Sequence, residues 1–227
     1  YCPKAFFMFS SSVAIYGDRL KNPEIRVSDP LHEDDEDFYV QSKIEAEQVV
    51  QHSKLDWTIF RLTAILGVNN HKITGLMFHM PLDTPMEITT PSDAARAFVN
   101  GLEHEPLLSK KIFNLGGGIS FRTSYRELLA ENFKINGLGT LNFPEKTFAE
   151  KNFHCGYMMD SDDLEDILHY REHTLADYYR LNKEAVPAIR KLLTIPFRGL
   201  IKFLLRQMSE PLRAHKRNDI KELERFF

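Results

Sequence analysis

Tyr39 and Lys43 stand four residues apart in the segment Tyr39-Val40-Gln41-Ser42-Lys43. On a helix, residues at i and i+4 are neighbours. An isolated tyrosine ionises near about pH 10 and is a poor base at neutral pH. An ammonium alongside stabilises the phenolate and lowers that value. Such a pair can exchange a proton with a substrate hydroxyl or carbonyl. The spacing recurs by chance on many solvated helices, so its meaning depends on what surrounds it.

The elements that would position the pair are legible. Ala5–Phe9 is an apolar and aromatic run bounded by Pro3 and by Ser10–Ser12, the pattern of a strand buried on both faces. A serine just past the carboxyl end of a parallel strand lies where open α/β sheets bind ligands. Tyr16-Gly17 closes a turn, and the polar stretch 21–37, with its acidic run Glu33–Asp37, reads as a solvated surface loop. A helix is predicted over Phe38–His52, then a strand over Trp57–Leu62, with Thr63–Pro85 irregular. Ser92 and Asp93 suit the cap of a helix ending near Glu103. Lys111–Leu115 reads as a third strand, stopped by Gly116–Gly118. Strands alternating with helices predict parallel βαβ units. Further helices are expected at Asp160–Leu168 and Thr174–Leu181.

Taken together these motifs resemble the extended short-chain dehydrogenase/reductases, the family of NAD-dependent epimerases and dehydratases. The resemblance is carried by the strand running into Ser10-Ser11-Ser12, Tyr16-Gly17, Tyr39 and Lys43 with Glu47 one turn on, and a strand ending in Arg61. It is close over residues 5–67 and looser to about 175, through Pro91-Ser92-Asp93-Ala94-Ala95, Ile112–Gly117 and Asp160-Ser161-Asp162. It implies that Tyr39 is the catalytic acid/base and that Lys43 holds the nicotinamide ribose and tunes Tyr39. Ser12 would bind the reacting oxygen, with Ser10 and Ser11 beside the cofactor. Leu62, Thr63, Ala64 and Ile65 would line the nicotinamide carboxamide. Tyr16, Asn69 and Arg122 are the expected substrate contacts, and His71, Lys72 and His154 fall in segments that would face the same crevice. The cofactor implied is NAD or NADP, and the substrate a small molecule, a nucleotide sugar by resemblance. The sequence departs from many members in having Leu62-Thr63-Ala64 where a proline follows the arginine, and Thr90-Pro91 ahead of the later helix.

No G-x-x-G-x-x-G fingerprint follows a strand. The Gly116–Gly118 run is not a substitute, because Ile119-Ser120-Phe121-Arg122 does not open a capped helix with an acidic residue at the right distance. The expectation is a chain that begins in mid-domain, inactive alone and a weak NAD(P) binder. The fold class expected is α/β: the second half of a doubly wound, Rossmann-like parallel sheet, a small α+β lobe and a basic helical tail. Residues 1–118 would form the dinucleotide-binding part, with 63–90 contributing to the substrate crevice, 119–186 the substrate lobe and 187–227 the tail.

Bulk properties narrow the classes. The net charge of -3 over 227 residues gives no basis for nucleic-acid binding. Cys2 and Cys155 form neither a disulfide framework nor a metal-ligand spacing, and a cytoplasmic setting follows as the expectation. His154-Cys155 reads as a partly buried structural pair. The opening Phe6-Phe7-Met8-Phe9 run is too short for a signal peptide. Charge is uneven: residues 187–227 carry ten Lys+Arg against four Asp+Glu. Phe197, Leu200, Ile201, Leu204 and Met208 share one helical face there. That face can pack on the domain, form a homodimer contact, or lie on an anionic membrane surface through residues 187–217, with Arg190, Arg198, Lys202 and Arg206 flanking it. Three functions remain open at this point. They are an epimerase or dehydratase working through a transient keto intermediate, a simple NADP-dependent ketone or aldehyde reductase, and a non-catalytic dinucleotide-binding scaffold or redox sensor.

Overall fold

A computed structural model of the protein describes residues 5–32, 37–68, 74–151 and 153–227. In chain order the elements are β1 (Phe6–Ser12), β2 (Glu24–Ile25), α1 (Phe38–His52), β3 (Asp56–Leu62), β4 (Ala64–Ile65), β5 (Pro85–Thr89), α2 (Pro91–Gly101), α3 (Glu105–Leu108) and β6 (Lys111–Leu115). There follow β7 (Arg122–Ser124), α4 (Tyr125–Ile135), β8 (Tyr157–Met158), α5 (Asp162–Leu168), α6 (Leu175–Ala185), α7 (Ala188–Gln207), α8 (Glu210–Arg217) and α9 (Ile220–Phe226). The chain divides into two compact units. One comprises residues up to Leu66, Met86–Arg122 and His154–Thr174; the other comprises Gly67–Pro85, Thr123–Phe153 and Leu175–Phe227.

The first unit is built on a parallel sheet in the order β1-β3-β6. Ser12 stands opposite Leu62, and Leu62 opposite Leu115, so the three carboxyl ends come level. The central strand β3 is buried on both faces, as continuous apolar runs in parallel sheets require. Trp57 and Ile59 point to one side and pack with Val50 of α1. Phe60, on the other side, packs with Ala94 and Ala97 of α2 and with Leu164 and Leu168 of α5. Helices therefore cover both faces of the sheet. Two short parallel pairs complete the unit: β2 with β8, and β4 with β5.

Several boundaries differ from the sequence expectation. β1 runs on through Ser12, because the serines continue the ladder to β3 rather than leaving it. β5 lies in and beyond a stretch expected to be irregular; Glu87 interrupts its apolar pattern, although the strand is wholly buried. The cap of α2 is Thr90, whose hydroxyl accepts from the Asp93 backbone N–H, not Ser92 or Asp93. Asp93 is instead buried and receives Arg96 and His173. α4 was not expected as a distinct helix, yet Ser124 and Glu127 form a reciprocal capping box at its start.

The second unit packs α4 against α6 and α8 against α9. Phe78, Phe133, Phe143 and Phe148 meet edge-on or tilted at its centre, with centroids 5.1–6.0 Å apart. Ser209 caps α8 and donates its hydroxyl to the Thr147 carbonyl. The tail helix α7 belongs to this unit. Its apolar stripe is exposed, with Phe197, Leu200, Leu204 and Met208 all on the surface and Ile201 half-buried. Packing of that stripe on the domain is therefore not what the chain does; Leu205, at another angle, is the buried contact.

Candidate active site

Asp37 sets the start of α1, its carboxylate accepting from the N–H groups of Tyr39 and Val40. That cap fixes Tyr39 in the first turn and Lys43 one turn later. Lys43 Nζ donates to the Ser10 carbonyl at 2.9 Å. It lies 5.2 Å from the centre of the Phe9 ring and 5.8 Å from that of Tyr39. The ammonium thus bridges the helix and the end of β1 with the phenol beside it. Tyr39 is 51% exposed and Lys43 is half-buried. Both can be reached by a bound molecule.

The serines differ among themselves. Ser12 caps the turn after β1, accepting from the Ala14 N–H at 3.2 Å. Its hydroxyl proton is left for another acceptor. Ser11 is buried, and its hydroxyl has no hydrogen-bond partner among the described residues. Ser10 is exposed and offers its carbonyl to Lys43. Leu62–Ile65 follow the carboxyl end of β3; there Thr63 donates its hydroxyl to the Glu87 carbonyl and its N–H meets the Leu115 carbonyl.

Tyr16 is buried, donating to Asn114 Oδ1 at 2.8 Å and accepting from Arg61 at 2.8 Å. Burial pushes its phenol up to about 12, against the opposing pull of Arg61. Arg122 pairs through Nε with Glu87 at 3.0 Å and lies over the Tyr157 ring. Asn69, His71, Lys72 and Cys2 lie outside the described residues. Burial lowers the His154 pKa and raises the Cys155 thiol to about 12. No cluster of potential metal ligands occurs among the described residues.

What sequence reasoning missed is the buried polar frame behind the pair. Arg61 grips Glu47 with two parallel bonds, Nε to Oε1 at 3.0 Å and Nη2 to Oε2 at 2.8 Å. The same guanidinium donates to Tyr16 and to the Val27 carbonyl. Asn114 passes the chain on to Asp160, which accepts the Val27 N–H at 2.7 Å. Every bond joins a different segment, and Glu47 sits one turn beyond Lys43 on α1. The frame therefore locks the helix that carries Tyr39 and Lys43 to the central strand. A glutamate at that spacing, with an arginine in an otherwise apolar strand, was the available signal.

A second buried carboxylate shapes the glycine run. Glu87 accepts from Gly118 N–H, Arg122, Met158 N–H and Ser161. Burial raises its pKa, opposed by Arg122 and the Gly118 N–H. A Cβ on Gly116 would come within 2.1 Å of Glu87 Oε1, and one on Gly117 within 2.2 Å of the Ile88 carbonyl oxygen. The glycines are there for this close approach.

Neither a family model nor a curated protein matches the chain. Solved structures do. UDP-glucuronic acid 4-epimerase from Bacillus cereus, in complex with UDP-glucuronic acid and NAD, superposes with TM-score 0.63 at 17% identity, over 83% of this chain and 62% of that one. RMD from Pseudomonas aeruginosa, complexed with NADPH, gives 0.64 at 15%, over 84% and 68%. The dTDP-glucose 4,6-dehydratase from Bacillus anthracis, in complex with NAD, gives 0.63 at 16%, over 81% and 62%. The chain thus spans about two thirds or less of these structures. With helices on both faces of a β1-β3-β6 parallel sheet, the protein shares the α/β fold of these solved structures.

Proposed function

We propose that this chain supplies the acid/base part of the active site of an NAD(P)-dependent epimerase or dehydratase that acts on a nucleotide sugar through a transient keto intermediate. The observation that carries the reading is the position of Lys43, held by the Ser10 carbonyl with its ammonium over the edge of β1 and beside Tyr39.

The residues present suit the nicotinamide end of the cofactor. Lys43 has spent one of its three N–H donors on Ser10, which leaves two for ribose hydroxyls. The Ser11 hydroxyl is a buried donor without a partner among the described residues, at the carboxyl edge where open α/β sheets take their ligands. The glycine fingerprint that seats a pyrophosphate is absent from this sequence, so the proposal concerns the nicotinamide side only.

A bound NAD(P), its nicotinamide ribose held by Lys43, would supply reversible hydride acceptance at a substrate carbon. Tyr39 takes the proton of the hydroxyl on that carbon and gives it back. Lys43 stabilises the phenolate by its charge. Ser12 donates to the reacting oxygen. Net consumption of NAD(P)H would separate a reductase from this reading, because an epimerase or dehydratase returns its hydride. The proposed setting is cytoplasmic, in keeping with the unpaired, buried Cys155.

The test is turnover by the whole natural protein with UDP- and dTDP-hexoses. Tyr39→Phe is expected to lower kcat by about 10²–10⁴-fold while leaving NAD(P) affinity unchanged. Lys43→Met is expected to weaken both. Activity in Tyr39→Phe equal to that of the parent would overturn the assignment.

A further inference from the structure

Arg198, Lys202 and Arg206 follow one another at four-residue intervals on α7, which stacks them on one face of the helix. With Phe203, and with Asn142 and Phe143 from the loop after α4, they line an open cavity of about 360 Å³. All these residues belong to the second unit. No Asp or Glu lines the cavity. Lys202 donates to the Thr140 carbonyl and the Asn142 side chain, both neutral, and keeps a third N–H. Burial, and next the charge of Arg198, lower the Lys202 pKa. Arg198 has no ion pair among the described residues. The Arg206 Nε is buried with no hydrogen-bond partner among them, and a buried donor left without an acceptor is costly. Gly199 lies on the cavity wall in mid-helix, where glycine is unfavourable. A Cβ there would meet nothing within 4 Å, so packing does not call for the glycine; it keeps the cavity wide.

We infer that this cavity is a binding site for a small-molecule phosphomonoester that carries an apolar or aromatic group. A phosphomonoester brings a charge of about −1.5 to −2 at pH 7 and three strong acceptor oxygens. The cavity presents three cations and no carboxylate to neutralise them. The guanidinium forks of Arg198 and Arg206 suit bidentate contact with phosphate, and such a contact satisfies the buried Arg206 Nε. Lys202, tethered to the loop, adds its remaining donor. Phe143 and Phe203 are the apolar walls for the organic part. The volume falls within the roughly 300–1,000 Å³ of small-molecule sites. A nucleotide sugar, with its diphosphate esterified at both ends, offers no terminal dianion, so this ligand differs from the substrate class proposed above. The acid/base pair lies in the first unit, and the cavity is independent of it.

The experiment is calorimetric titration of the whole natural protein with phenyl phosphate, inorganic phosphate and phenol. Phenyl phosphate is expected to bind about tenfold or more tighter than inorganic phosphate, because its ring is buried as well, and phenol not to bind. Affinity should fall as pH drops below about 6, where the phosphate loses its second charge. Arg206→Gln is expected to weaken binding about tenfold or more. Gly199→Leu places a side chain in open space, so it should melt no lower than the parent while binding is lost. A UDP-hexose should not displace phenyl phosphate. No binding of phenyl phosphate, parent-like affinity in Arg206→Gln or Gly199→Leu, or equal affinity for inorganic phosphate would each overturn the inference. Displacement by the UDP-hexose would overturn it too, in favour of a cavity that belongs to the substrate site.

Discussion

At the scale of single residues, the proposed chemistry depends on a few side chains placed by others. Lys43 is fixed by one carbonyl, but the helix beneath it is fixed by the Glu47–Arg61 pair. Both partners of that pair are almost wholly buried. Removing one partner from a buried ion pair costs about 3–5 kcal/mol, because the other charge is left without compensation. Arg61→Met should therefore lower the urea unfolding free energy by roughly that amount. Arg61→Met combined with Glu47→Leu should recover part of the loss, since the stranded carboxylate is then gone. A double variant less stable than Arg61→Met would show that the pair does more than satisfy itself.

Among the elements, β3 and α1 were readable, and β5 and α4 were not. The strand β3 announced itself by its β-formers, Trp57, Thr58, Ile59 and Phe60, and α1 by its apolar spacing. Strand β5 hides because Glu87 sits in its middle, and only the N–H groups of Gly118 and Met158, with Arg122, make that carboxylate acceptable. Helix α4 did carry a local signal, Ser124 followed three residues later by Glu127. The Ser124 backbone N–H and hydroxyl hold the Glu127 carboxyl below its usual range. The stabilisation is thus present above the ordinary carboxylate pKa and fades as pH falls through the lowered value. Ser124→Ala should cost about 1 kcal/mol at neutral pH, read from chemical denaturation. An unchanged midpoint would mean that tertiary packing alone holds the helix.

Across the whole molecule, burial of tyrosines sets the behaviour at high pH. Tyr16, Tyr170 and Tyr179 are each pushed from 10.0 up to about 12, desolvation being the largest cause in every case. The folded protein keeps these protons after the unfolded chain has released them. Their contribution is intact below pH 10 and is lost as pH rises toward about 12. The unfolding midpoint should fall steeply over that window, with part of the phenolate absorbance appearing only together with unfolding. Formation of all of the phenolate well ahead of unfolding would show that the three rings are accessible. The tail shows the same dependence on context at the molecular scale. Its basic excess and apolar face were plain in the sequence. Their arrangement, cations partly turned inward and hydrophobes outward, was not.

By itself the sequence determined the local matters: a Tyr39–Lys43 spacing that a helix makes adjacent, strands with the continuous apolarity of a parallel sheet, and a tail without acidic residues in its longest helix. Those follow from periodicity and residue type, which act over a few positions. Only the tertiary structure decided that Lys43 bonds the Ser10 carbonyl, that Glu47 and Arg61 meet, that Tyr16 is buried in their network, and that Gly116–Gly118 leave room for Glu87. Each of these joins residues distant in the chain. Partners of that kind are chosen by which groups must be satisfied once water is excluded, and no local pattern records the choice.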